Sequence, residues 1–93
     1  MPIQTFPQAI ALIERIDRLI RQRATGTPEQ MAERLGISRS TWFNYLTVLK
    51  NDLNFPVEYD REHQTYYYSL PGAFRVGYVV DEESVISVND LAN

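Results

Sequence analysis

The sequence predicts an α+β fold in which three helices precede a β-hairpin. Three observations carry that prediction. Apolar residues recur at steps of three and four in three separate stretches before residue 54, the period of a helix with one buried face. From Val57 the pattern switches to alternation, the period of a strand. Caps and breakers (Thr27-Pro28, Gly36, Ser38, Pro56, Pro71-Gly72) fall at the seams between these stretches.

The first helix is expected over residues 7–24. Pro7 suits the first turn, where its missing N–H would be unpaired in any case. Ala9, Leu12, Ile13, Ile16, Leu19 and Ile20 make one apolar stripe, and Arg15, Arg18 and Arg21 lie away from it. Gly26 closes this unit. The second helix is expected over 28–35. Thr27 caps it, Pro28 takes the first helical position, and Gln30 completes a T-x-x-Q capping box. Met31, Ala32 and Leu35 form its apolar face, and Gly36 stops it by accepting a left-handed conformation.

The third helix is expected over 39–53, capped by Ser38, with Ile37 packing on Trp42 as a hydrophobic staple. Trp42, Leu46, Leu49 and Leu53 form its core face, with Tyr45 at the margin. Arg39, Ser40, Phe43, Asn44, Thr47 and Lys50 form the opposite face. Pro56 restricts the residue before it and ends the helix near Asn54. Strands are expected at 56–60 and 65–70, joined by the polar turn Arg61-Glu62-His63-Gln64. Residues 1–72 thus form one domain. Residues 73–93 form a carboxy-terminal extension, with a short strand expected over Phe74–Val80 and a partly ordered tail after it.

Bulk properties narrow the function. The 93 residues fit one domain with a modest core. A 44% hydrophobic share is ordinary for a globular chain. The absence of cysteine excludes disulfides and thiolate metal sites. No apolar run is long enough to span a membrane, and the amino terminus lacks the pattern of a secretory signal. A bacterial-type cytoplasmic location is the resulting expectation. The net charge of −3 is unevenly spread. Residues 1–54 carry seven basic against five acidic side chains, and residues 55–93 carry two against seven. The basic excess falls on the half that holds the helices, which matters if nucleic acid is the partner.

Helix, short helix, tight turn, long helix and hairpin, in that order, describe a winged helix-turn-helix. In that arrangement the second helix braces the third, the third offers its polar face to the DNA major groove, and the hairpin reaches along the backbone. The run A-E-R-L-G-I-S-R-S-T at 32–41 and the run P-V-E-Y-D…Y-Y-Y within 56–68 resemble the amino-terminal helix-turn-helix domain of the WYL-domain transcriptional regulators. The resemblance covers roughly residues 9–70. It implies a sequence-specific DNA-binding module, which in that family usually precedes a larger sensing domain that has no counterpart here. The chain departs from the family pattern at Ser40, where a second basic residue is usual, and at Asn44-Tyr45, where an Arg-Asp pair is usual. Thr65 replaces a glycine before the aromatic run. The changes in the third helix remove phosphate-binding charge.

Each candidate residue has a functional and a structural reading. Arg39 can pair with guanine O6 and N7 through two parallel hydrogen bonds, or be a solvated first-turn arginine. Ser40, Thr41, Asn44 and Thr47 can touch bases or phosphates; Thr41 can equally support the cap. Phe43 can meet a thymine methyl group, or belong to a protein interface. Lys50, Arg61 and His63 can meet phosphates from the helix and the hairpin turn. Trp42 and the Tyr66-Tyr67-Tyr68 run read first as core and hairpin packing.

The expected function is sequence-specific binding of double-stranded DNA by a transcriptional regulator. The other reading is a winged-helix protein-interaction module that has lost DNA binding. A homodimer is a candidate assembly, through the first helix or by strand addition from the carboxy-terminal segment. With one histidine, no glycine-rich phosphate loop and no paired carboxylates, no enzymatic activity, cofactor, metal or small-molecule ligand is expected.

Overall fold

A computed structural model of the chain describes residues 5–78. Three helices, α1 (Phe6–Arg21), α2 (Pro28–Leu35) and α3 (Arg39–Asn51), precede two strands, β1 (Val57–Asp60) and β2 (Thr65–Tyr68). The strands form one antiparallel hairpin in which Val57 pairs with Tyr68 and Asp60 with Thr65. The fold is therefore a small α+β domain of the predicted order.

Capping chemistry fixes the helix starts. Thr27 and Gln30 form the expected reciprocal box, and Gly36 takes φ 69° at the end of α2. A second T-x-x-Q box, absent from the sequence expectation, starts α1. The Thr5 hydroxyl accepts the Gln8 N–H, and the Gln8 side chain accepts the Thr5 N–H.

The core draws on every element. Ile16 and Ile20 come from α1, Met31, Ala32 and Leu35 from α2, Trp42 and Leu49 from α3, and Val57 and Tyr66 from the hairpin. Trp42 is fully buried. Its indole N–H donates to the Tyr66 hydroxyl at 3.2 Å, and the two rings meet edge to face with centroids 5.2 Å apart. Tyr66 faces the core, and Tyr67 and Tyr68 are half-buried, as packing of the hairpin onto the helices requires.

Several boundaries differ from the sequence expectation. Helix α1 ends at Arg21 rather than residue 24. Arg23 takes φ 53°, and the Arg23 and Ala24 N–H groups return to the carbonyls of Ile20 and Leu19. This reversal turns Thr25 inward, where its hydroxyl accepts the Tyr66 N–H at 2.8 Å and meets the Thr65 hydroxyl at 3.1 Å. Helix α3 ends at Asn51 rather than 53, and Leu53 is 44% exposed instead of lying in the core. Asn54 takes φ 58°, which returns the Phe55 N–H to the Leu49 carbonyl and makes Phe55 the residue that packs on the core. The strands are shorter than 56–60 and 65–70. Pro56 has no N–H to pair, although its carbonyl still accepts from Ser69, and Leu70 is already exposed before Pro71. Residues 74–78 do not form the expected strand; Val79, Val80 and the tail to Asn93 lie outside the described residues.

Asp17 ties α1 to β2 and to the segment beyond the hairpin. Its carboxylate is 2% exposed and accepts from the Tyr68 hydroxyl at 2.7 Å, the Phe74 N–H at 3.1 Å and Arg21 Nε at 2.9 Å. A buried charge held this way tolerates desolvation because each oxygen is paired. Asp17→Ala strips the acceptor from three donors, and the expected loss is about 2–4 kcal/mol in urea denaturation. A loss within error of zero contradicts this role.

Burial, reinforced by the Asp17 carboxylate, raises the ionisation of the Tyr68 phenol above its ordinary value; burial raises that of Tyr66 as well. Both groups fold as neutral phenols. Their contribution is therefore complete below the ordinary tyrosine pKa of about 10 and is lost as pH rises through the higher folded values. An ultraviolet titration should show a late tyrosinate component that shrinks in Tyr68→Phe. Ionisation of all six tyrosines in one step near pH 10 contradicts it.

Candidate nucleic-acid interface

Burying Trp42 and Leu49 sets the rotation of α3 about its axis. Residues half a turn away must face solvent. Ser40, Asn44, Thr47 and Asn51 fall there, at steps of four, three and four, and all are exposed. The result is a strip of small, uncharged hydrogen-bonding groups. Ser38 starts the helix by accepting the Thr41 N–H at 3.1 Å and donating its hydroxyl to Thr41 Oγ1 at 2.8 Å. Ser40 Oγ lies 3.3 Å from Ser38 Oγ, and Thr47 Oγ1 donates to the Phe43 carbonyl at 2.9 Å.

The expected site residues separate into groups. Ser40, Asn44 and Thr47 share the solvent strip with Asn51. Asn51 is not among the residues expected from sequence, although it lies seven residues, or two turns, beyond Asn44. Arg39, Phe43 and Lys50 lie along one flank of the strip. Phe43 is 36% exposed and, with Leu46 and Lys50, borders a cleft of about 270 Å³ whose other walls are Pro28, Val57, Glu58, Tyr59 and Tyr66. Its ring thus stands at the mouth of the cleft between α3 and the hairpin, off the centre of the solvent strip. Thr41 is half-buried on the other flank and serves the cap.

Arg61 and His63 occupy the hairpin turn, and both are exposed. Asp60 builds the turn. One of its oxygens accepts the N–H groups of Glu62 and His63 at 2.9 and 3.1 Å, and the other lies 2.7 Å from His63 Nδ1. The His63 side-chain hydrogen bond, aided by the backbone one, holds the Asp60 carboxyl below its usual range. Since a carboxylate only accepts, His63 donates through Nδ1 and keeps Nε2 toward solvent.

The electrostatics are thin. Four arginines make structural contacts. Arg15 and Arg34 donate to the Arg34 and Ala24 carbonyls, Arg21 pairs with Asp17, and Arg23 lies 5.2 Å over the Tyr67 ring. Arg39 Nε lies 2.8 Å from Glu29 Oε1, and its guanidinium stands 4.9 Å over the Phe43 ring. Lys50 and Arg61 are exposed and make no ion pair among the described residues. Nothing in the sequence pointed to Glu29, because α2 and α3 meet there only in three dimensions.

Among the described residues no group of three or more His, Asp or Glu side chains is placed to hold a metal ion. No described helix is long and apolar enough to cross a membrane. No family model, curated protein or solved structure matches the chain.

The cap at Ser38 sets where the strip begins. Ser38→Ala is expected to cost about 1 kcal/mol in urea denaturation, and Ser38→Asp to recover most of it, since aspartate caps well and suits a helix amino terminus. Equal stability of the alanine variant and the parent chain contradicts the capping role.

Proposed function

We propose that the chain is a winged helix-turn-helix protein that binds double-stranded DNA by sequence and regulates transcription. The observation that carries this reading is the solvent strip on α3. Four hydrogen-bonding side chains, Ser40, Asn44, Thr47 and Asn51, stand clear of the core on a capped helix that α2 braces. They are short enough to let the helix approach base edges, and asparagine pairs well with adenine. Arg39 at the helix start supplies a guanine reader. Lys50 on α3, with Arg61 and His63 on the hairpin turn, would meet phosphates. The likeness of residues 32–41 and 56–68 to the WYL-regulator helix-turn-helix adds to this reading.

So few free cations imply modest affinity for a single copy, because phosphate neutralisation supplies most non-specific binding. A homodimer on two half-sites would offset that through effective concentration.

One observation favours a second reading. Phe43 and the cleft beside it form an exposed aromatic patch, edged by Lys50, Glu58 and the Arg39–Glu29 pair. A protein partner would use such a surface.

The test is retention of random duplex DNA at two salt concentrations, followed by sequencing. The DNA reading predicts an enriched motif and a log–log salt slope of about −2 to −3, for two or three neutralised phosphates. In that assay Arg39→Ala should erase preference at one base pair, whereas Lys50→Ala should leave the motif and flatten the slope by about 1. No retention at low salt favours the protein-partner reading.

A further inference from the structure

The Glu29–Arg39–Phe43 contact has no strong structural purpose. Arg39 is the first residue of α3, where the positive end of the helix dipole disfavours a cation. Both members of the ion pair are more than half exposed, where such pairs contribute little to stability. Yet the guanidinium is contacted from two sides. Glu29 reaches Nε from the first turn of α2, and the Phe43 ring, one turn along α3, lies beneath Cζ.

Which nitrogen is engaged decides what the arrangement can do. Glu29 Oε1 meets the guanidinium at Nε as an ion pair, and the two terminal nitrogens make no hydrogen bond to any described residue. They form the edge that can donate two parallel bonds to guanine O6 and N7. Holding a long side chain before binding removes part of the ordering cost of forming those bonds.

We propose that Glu29 and Phe43 are positioning residues that set the preference for guanine at the base pair met by Arg39. The proposal rests on the DNA reading and deepens it. It gives Phe43 a role other than meeting a thymine methyl group. It also gives Glu29, which as an acid already suits the first turn of α2, a second role beside a DNA-facing surface. Loss of its charge should strengthen binding to non-specific duplex by reducing repulsion and at the same time blunt the discrimination.

The experiment uses the full chain and the duplex it enriches from a random pool. Binding is measured to that duplex, and to duplexes in which the base pair identified by Arg39→Ala carries adenine, or 7-deazaguanine, in place of guanine. The parent chain should disfavour both replacements by about tenfold, since each spoils a two-bond contact. Glu29→Gln should reduce that discrimination at least threefold at this base pair and leave the others unchanged, with the thermal midpoint lowered by no more than the few degrees that a lost first-turn charge costs. Phe43→Leu should behave likewise, and Phe43→Tyr, which keeps the ring, should retain the discrimination.

If Glu29→Gln keeps or sharpens the guanine preference, Glu29 is a competitor or a bystander, and the proposal is overturned while the DNA reading stands. If the parent chain enriches no duplex at all, both fall together.

Discussion

The placement of α3 depends on the burial of Trp42. A helix can rotate about its own axis unless something breaks that freedom, and here an indole with no exposed surface does so. The ring must be buried for its apolar area, yet its N–H needs an acceptor. The Tyr66 hydroxyl provides it, so one side chain locks both the rotation of α3 and the position of β2. Tyr59 adds a second edge-to-face contact, with its ring centroid 4.8 Å from that of Tyr66, which extends the constraint to β1. Truncating a buried tryptophan costs about 3–5 kcal/mol, a large share of the stability of a chain this size. The side chains on the far face of α3 owe their exposure to this anchor. Rotating the helix by one residue would exchange Asn44 and Thr47 for their apolar neighbours.

Polar groups complete what the apolar core leaves loose. Thr25, Thr65 and Asp17 are buried and satisfied, and each links segments distant in sequence. The Thr25 hydroxyl takes the N–H of Tyr66 and so closes the edge of β2 against the segment after α1. Asp17 gathers α1, β2 and the Phe74 backbone at one carboxylate. No buried side-chain nitrogen or oxygen among the described residues lacks a partner. That is expected of a small domain in which one orphaned group would remove much of the margin.

Much of this was legible in the sequence. The T-P-E-Q box, Gly36 and Ser38 placed α2 and the start of α3 to the residue, because capping is local chemistry. Trp42 and Leu49 fell on the core face because helical spacing leaves little choice. The missed features are those that local chemistry does not decide. Arg23 and Asn54 adopt left-handed conformations that nothing in their immediate neighbours demands. They accompany the hydrogen bond of Thr25 to β2 and the packing of Phe55 on the core, with α1 and α3 ending early and Leu53 left exposed. Asp17 reads as one more charge on an amphipathic helix, and its partner Tyr68 lies 51 residues away. On α3 the sequence placed Ser40, Asn44 and Thr47 on the solvent side but did not show the Glu29–Arg39 pair, because the geometry between α2 and α3 is not written in either helix alone.

The proposed DNA contact is weak in charge and well defined in shape, a balance that favours discrimination over affinity. The most direct test is to record ¹⁵N–¹H spectra of the labelled chain during titration with mixed-sequence duplex at low salt. The account predicts shifts at Arg39, Ser40, Asn44, Thr47 and Asn51 and across the Arg61–Gln64 turn, reversed when salt is raised. Unchanged spectra, or shifts centred on α1, would contradict it.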